Sequence, residues 1–84
     1  MLLTPPAARS LRALFDGEPT RYGLTPRERD VLRLMADGLQ QKEIATRLHV
    51  SLATVTSHVH HLYAKLGVGT AAGAVGRALR ERLI

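Results

Sequence analysis

The 84-residue chain has no cysteine and no tryptophan, few aromatic residues and no long apolar run. Without cysteine, it has neither a disulfide framework nor a zinc site with thiolate ligands. No stretch approaches the ~18 apolar residues of a transmembrane helix, and no basic-then-apolar signal sequence opens the chain. We therefore expect a cytoplasmic protein with an aliphatic core and no membrane attachment.

Acidic residues are also few, since seven Asp and Glu stand against twelve Lys and Arg, for a formal net charge of +5. None lies between Glu43 and Glu81, a span that contains all four histidines and Lys65. A small basic domain suggests a polyanionic partner, although an arginine-rich composition can also reflect a GC-rich genome. A chain of this length forms one domain with a modest core, so we do not expect an enzyme with a roomy pocket.

Helical periodicity and capping signals predict five helices and no strand. A short N-terminal helix opens at Thr4-Pro5 and stops at Gly17, and the linker that follows ends at Gly23. Residues 1–22 are therefore interpreted as N-terminal helix and linker, and residues 23–84 as the main domain. The remaining four helices are expected from Thr25 to Gly38, from Gln41 to Leu48, from Ser51 to Gly67, and from Thr70 onwards through Val75, Ala78, Leu79 and Leu83.

Two of these helices follow each other closely along the chain. Gln41–Leu48 and Leu52–Leu66 are separated by about three residues, and the small Ala45 lies where the helices cross. This is the arrangement of a helix-turn-helix. An ordinary helical hairpin shares the generic pattern, so the spacing alone leaves both interpretations open.

Ordered landmarks favour the first interpretation. They are LTPRERDVL at 24–32, KEIA at 42–45, TV at 54–55, HV at 58–59 and KLGV at 65–68. From about Gly23 to the C-terminus, the chain resembles the LuxR/FixJ-type (NarL-type) DNA-binding domain of bacterial transcription regulators. The resemblance implies an all-α, four-helix helix-turn-helix domain, here with an additional N-terminal helix. Its third helix would read the major groove of double-stranded DNA, and its last helix commonly pairs two subunits on an inverted repeat.

The resemblance also implies DNA contacts on the recognition helix. Thr54 corresponds to a phosphate contact and Thr56, Ser57 and His60 to base-reading positions, while His61 and Lys65 are candidate phosphate contacts. The periodicity agrees for the base-reading positions, because Val55, Val59 and Leu62 form the opposite, buried stripe. The family usually has Lys where this chain has Thr56, Asn where it has His61, and Arg near Thr70. The recognition helix is therefore poorer in cations than is usual in the family.

Other roles for these residues compete with DNA binding. Lys65 is at least as well suited to pair with Glu28 and hold the fold together. His58, His60 and His61 suggest a metal site, but His58 and His60 diverge on a helix and no carboxylate is near in sequence, so no metal or other cofactor is expected. Ser51 is interpreted as a helix cap, because nothing around it resembles the base of a nucleophilic site.

The last helix is the candidate dimerisation surface. Its apolar positions exceed what one core contact requires, and they are Ala71, Ala72, Val75, Ala78 and Leu79. Gly73, Ala74 and Gly76 are expected to let a second helix approach, although a loosely held terminal helix would have the same composition.

The function expected from these features is sequence-specific transcription regulation by a homodimer in the cytoplasm, associated with the nucleoid. The alternative is a protein-interaction module of the same fold that docks on RNA polymerase or another regulator. The Met1 start and its capped helix favour a stand-alone protein over the output domain of a longer regulator.

Overall fold

The computed structural model describes residues 21–84, which form four α-helices and no strand. The helices are α1 (Pro26–Ala36), α2 (Gln41–Leu48), α3 (Leu52–Leu66) and α4 (Ala71–Arg80). The all-α class and the four predicted helices are confirmed. The additional helix predicted from Thr4 lies outside the described residues.

Side-chain caps start three of the four helices where the sequence predicts them. At α1, Thr25 and Glu28 form a capping box: the Glu28 N–H donates to Thr25 Oγ1 over 3.1 Å, and the Thr25 N–H donates to Glu28 Oε1 over 2.9 Å. Ser51 caps α3, and Thr70 caps α4 by accepting from the Gly73 N–H. Each cap satisfies an N–H that the helix itself leaves unpaired, so local sequence alone fixes these starts.

A tight turn joins α2 to α3. His49 adopts the left-handed conformation with φ of 60°, and the Val50 N–H donates back to the Ala45 carbonyl over 3.0 Å. This backbone reversal closes α2 within one residue. Only three residues separate the helices, so α2 and α3 form the helix-turn-helix that the spacing predicts.

The longest described helix, α3, lies at the centre of the fold and packs against α1, α2 and α4. Its buried stripe is Val55, Val59, Leu62 and Leu66, each at most 1% exposed. Ile44 and Ala45 from α2 and Val31 and Leu32 from α1 complete most of the core. The stripe fixes which side of α3 faces outward.

No helix within residues 21–84 has the length and apolar character needed to cross a membrane.

The last helix differs from the expectation in two respects. Ala78, predicted at a dimer surface, and Ala74, predicted to admit a second helix, are both fully buried in the chain's own core. The small alanine side chains let α4 approach the other helices closely. Because Ala78 is buried in this contact, it is removed from the candidate dimer surface. Leu83 lies beyond the helix, which ends at Arg80.

The residues just before the capping box are tied to the end of α4. Tyr22 packs against the core, and its hydroxyl donates to Glu81 Oε1 over 2.5 Å. Arg21 pairs with the same carboxylate at 3.2 Å. The packed unit therefore includes Arg21 and Tyr22, which the sequence pattern assigned to the linker.

Candidate nucleic-acid interface

The start of α3 carries a hydroxyl pair. Ser51 Oγ accepts from the Thr54 N–H over 3.0 Å and donates to Thr54 Oγ1 over 2.9 Å. The hydroxyl hydrogen of Thr54 therefore has no acceptor within the described part of the chain, and the side chain is exposed. An exposed donor at a helix N-terminus suits an anionic oxygen, because the helix dipole favours negative charge there.

The outer side of α3 carries polar residues and has no acidic residue. Ser57 and His60 are exposed opposite the buried stripe. The helix sequence LATVTSHVHHLYAKL contains no Asp or Glu. This side therefore offers hydroxyl and imidazole groups without a carboxylate that would repel phosphate.

Thr56 lies on the flank of α3 that faces α2. Its hydroxyl donates to Gln41 Oε1 over 2.8 Å, and both residues are partly buried. A hydroxyl has a single hydrogen to donate. The base-reading role expected for Thr56 therefore competes with a contact to another helix of the same domain.

His61 and Lys65 lie on the opposite flank, which faces α1. Lys65 Nζ is 2.7 Å from Glu28 Oε1 and donates to the Gly23 carbonyl over 2.8 Å. His61 Nδ1 is 3.9 Å from Glu28 Oε2. The contacts of Lys65 favour its structural role over the phosphate contact that the family resemblance implies. Lys65 is also the only Lys or Arg on α3.

The Glu28 carboxylate is the one buried charged group among the described residues, at 3% exposure. Burial alone would raise its pKa. The hydrogen bonds from Lys65 and from the Thr25 N–H, with the positive charge of Lys65, outweigh burial and hold the pKa of Glu28 below its ordinary value. Glu28 therefore remains ionised and links the start of α1 to the end of α3.

The outer side of α4 keeps part of the predicted dimer surface. Leu79 is 62% exposed, Ala71 and Ala72 are exposed, and Val75 is half-buried. Packing within the chain itself explains the glycine at position 73, because a Cβ there would lie 3.2 Å from Thr70 Oγ1 and 3.3 Å from Val68 Cβ. Gly73 therefore makes room for the cap of its own helix.

Two contacts have no counterpart in the sequence pattern. Gln41 meets Thr56 across 15 positions, and Glu81 meets Tyr22 across 59. A glutamine at the first position of a helix does not indicate which distant residue it will contact.

No group of three potential metal ligands occurs within residues 21–84.

The four helices and the turn between α2 and α3 agree with a family comparison. The model of bacterial regulatory proteins of the luxR family matches residues 23–78. The chain belongs to this family. The match begins just before the Thr25 capping box and runs into α4, so it covers the entire helix-turn-helix.

Several bacterial regulatory proteins resemble this chain over a part of their own length. The nitrate/nitrite response regulator NarL of Escherichia coli K12 is 43% identical over 82 residues, which are 96% of this chain and 38% of NarL. The probable transcriptional regulatory protein NarL of Mycobacterium tuberculosis H37Rv is 48% identical over 66 residues, 79% of this chain and 31% of that protein. The chain spans 7% of the putative HTH-type transcriptional regulator Mb0914c of Mycobacterium bovis and 38% of NarL of Escherichia coli, so it corresponds to a minor part of these relatives. These relatives are named as regulators and not as enzymes, in agreement with the expectation for this chain.

A solved structure supports the same assignment. The response regulator ChrA of a heme-sensing two-component system aligns with a TM-score of 0.72 and 39% identity, covering 74% of this chain and 31% of ChrA. The fold predicted from the family resemblance is thereby confirmed.

Proposed function

We propose that this chain is a transcription regulator that binds double-stranded DNA with α3 in the major groove. The observation that carries the proposal is the side of α3 opposite its buried stripe, where Ser57 and His60 are exposed and no acidic residue occurs. A single helix fits the major groove and can reach base edges there. Thr54 lies at the end of the helix where phosphate is favoured.

Pairing of two chains through α4 belongs to the same proposal. One recognition helix reads few base pairs, and dimers of helix-turn-helix proteins bind half-sites about one helical turn apart. The exposed Leu79, Ala71 and Ala72 with the half-buried Val75 form the remaining apolar surface of α4. The site would then be an inverted repeat. Such a chain would act in the cytoplasm, at the nucleoid.

The test is selection of binding sites from a random duplex pool, followed by titration at several salt concentrations. Because cationic groups displace counterions from phosphates, log affinity should fall with log salt with a slope per subunit on the order of 3–5. The slope is expected to be shallow because the only cation of α3, Lys65, already pairs with Glu28. Equal affinity at low and high salt would refute DNA binding.

The same ion pair supports a second candidate function. With its cation engaged internally, α3 has little electrostatic attraction for phosphate, which favours a domain that docks on RNA polymerase or another regulator. Co-purification with RNA polymerase from a lysate treated with nuclease, combined with no enrichment of any duplex, would support docking over DNA binding.

A further inference from the structure

The contact between Thr56 and Gln41 joins the two helices of the helix-turn-helix on the side of the proposed interface. Thr56 is in the second turn of α3, and Gln41 is the first residue of α2. The Thr56 hydroxyl donates to Gln41 Oε1 over 2.8 Å. The bond uses the only hydrogen of that hydroxyl, so Thr56 has no donor left for a base edge.

The same bond orients the Gln41 amide. With its oxygen facing Thr56, the amide keeps two N–H donors, and no hydrogen bond within residues 21–84 uses either of them. Bidentate recognition of adenine needs both an amide donor and an amide acceptor. The unused capacity of Gln41 is mainly donor, which suits a phosphate oxygen better than a base.

The position of Gln41 on its helix favours the same ligand. It begins α2, where unpaired backbone N–H groups and the helix dipole attract anions. The next residue is the exposed Lys42, whose side chain makes no ion pair in the described part of the chain. Glu43, in the same turn, accepts from the Gln40 N–H over 2.7 Å. Its negative charge opposes an anion there, so the attraction comes from the Gln41 amide, Lys42 and the helix N-terminus.

We propose that Gln41 contacts a DNA phosphate through its amide N–H groups and that Thr56 is a positioning residue for Gln41 and not a base-reading residue. The inference rests on the proposed DNA binding and specifies two residues of that interface. Where the family usually has a lysine, Thr56 would therefore support a neutral phosphate contact made by Gln41.

The experiment uses the full 84-residue chain and its selected duplex, with each phosphate replaced in turn by an uncharged methylphosphonate. For the parent, we expect one phosphate per half-site at which the replacement weakens binding about tenfold, because a hydrogen bond to a charged group is stronger than one between neutral groups. At that phosphate, Gln41→Ala and Thr56→Val should lose less than about twofold on replacement, because the bond is already absent. If either residue had only a structural role, its variant would show the same dependence on that phosphate as the parent.

Three further variants control the measurement. On unmodified duplex, Gln41→Ala and Thr56→Val should each weaken binding, and the double variant should be no weaker than the weaker-binding single variant, because both act on one bond. Thr56→Ser keeps the hydroxyl and should bind like the parent. Lys42→Gln should weaken binding while it leaves the dependence on the Gln41 phosphate intact. Far-UV circular dichroism verifies that each variant is folded.

Two results would overturn the inference. Independent, multiplicative losses for the two single variants would show that Thr56 and Gln41 do not act on the same bond. Parent-like phosphate dependence in Gln41→Ala would show that Gln41 makes no such contact. A parent chain that binds no selected duplex would instead refute the proposed function itself, and the inference with it.

Discussion

The ion pair between Lys65 and Glu28 gives the most direct test of the fold's energetics. Replacing Lys65 by Met keeps the length and apolar stem of the side chain but removes its ammonium group. The Glu28 carboxylate, 4% exposed as a side chain, then loses a partner at 2.7 Å, and the Gly23 carbonyl loses its donor at 2.8 Å. An ionised group that is buried without its partner destabilises the folded state.

The expected loss follows from the exposure of both partners. Removal of one member of a fully buried pair costs about 3–5 kcal/mol. The Lys65 side chain is 32% exposed, so water replaces part of the lost contact, and we expect about 2 kcal/mol. In a domain of this size, that loss lowers the melting temperature by about 8–16 °C.

The assay is urea and thermal unfolding at pH 7, followed by far-UV circular dichroism. Lys42→Met is the matched control, because this lysine is exposed and makes no ion pair in the described part of the chain, and it should lie within about 0.5 kcal/mol of the parent. The double variant Lys65→Met with Glu28→Gln should recover part of the loss, since no buried charge remains. A Lys65→Met variant as stable as Lys42→Met would refute the structural role of Lys65. A fall of about 0.9 in its salt slope for DNA would instead assign Lys65 to a phosphate.

Three further predictions concern acidity, DNA affinity and assembly. Because the folded state holds the pKa of Glu28 below its ordinary value of 4.5, the stabilisation that Glu28 provides is present above that pH and is lost as pH falls through the folded pKa. Urea midpoints should therefore fall less steeply in Glu28→Gln than in the parent between pH about 5 and about 3, and equal slopes would contradict this. Replacing His60 and His61 together by Gln should weaken binding to the selected duplex, because both exposed imidazoles lie on the surface of α3 away from its buried stripe. His49→Asn, outside α3, should bind like the parent, whereas parent-like affinity in the double variant would remove both imidazoles from the proposed interface. Leu79→Glu should remain helical, because Leu79 is 62% exposed, yet lose affinity for an inverted repeat and not for a half-site. Unchanged binding to both would exclude pairing through this surface of α4.

Local signals in the sequence were sufficient for the helices and their starts. The Thr25 capping box, the Ser51 and Thr70 caps and the glycines near helix ends act over three or four residues, so neighbouring residues specify them. The buried stripe of α3 also follows from local spacing, because a period near 3.6 places Val55 and Val59 on one side. The order of the helices and the short turn after α2 then define the helix-turn-helix.

Only the tertiary structure decided what the flanks of these helices do. Residues at the edge of a buried stripe point towards whichever helix packs beside them, and that neighbour is distant in sequence. Thr56 meets Gln41 on one flank of α3, while Lys65 meets Glu28 on the other. On α4, packing buries Ala78 and leaves its neighbour Leu79 exposed, although both are apolar. Composition and periodicity therefore determined which residues could reach the proposed interface, and the packing of α1, α2 and α4 around α3 determined which side chains are already engaged within the fold.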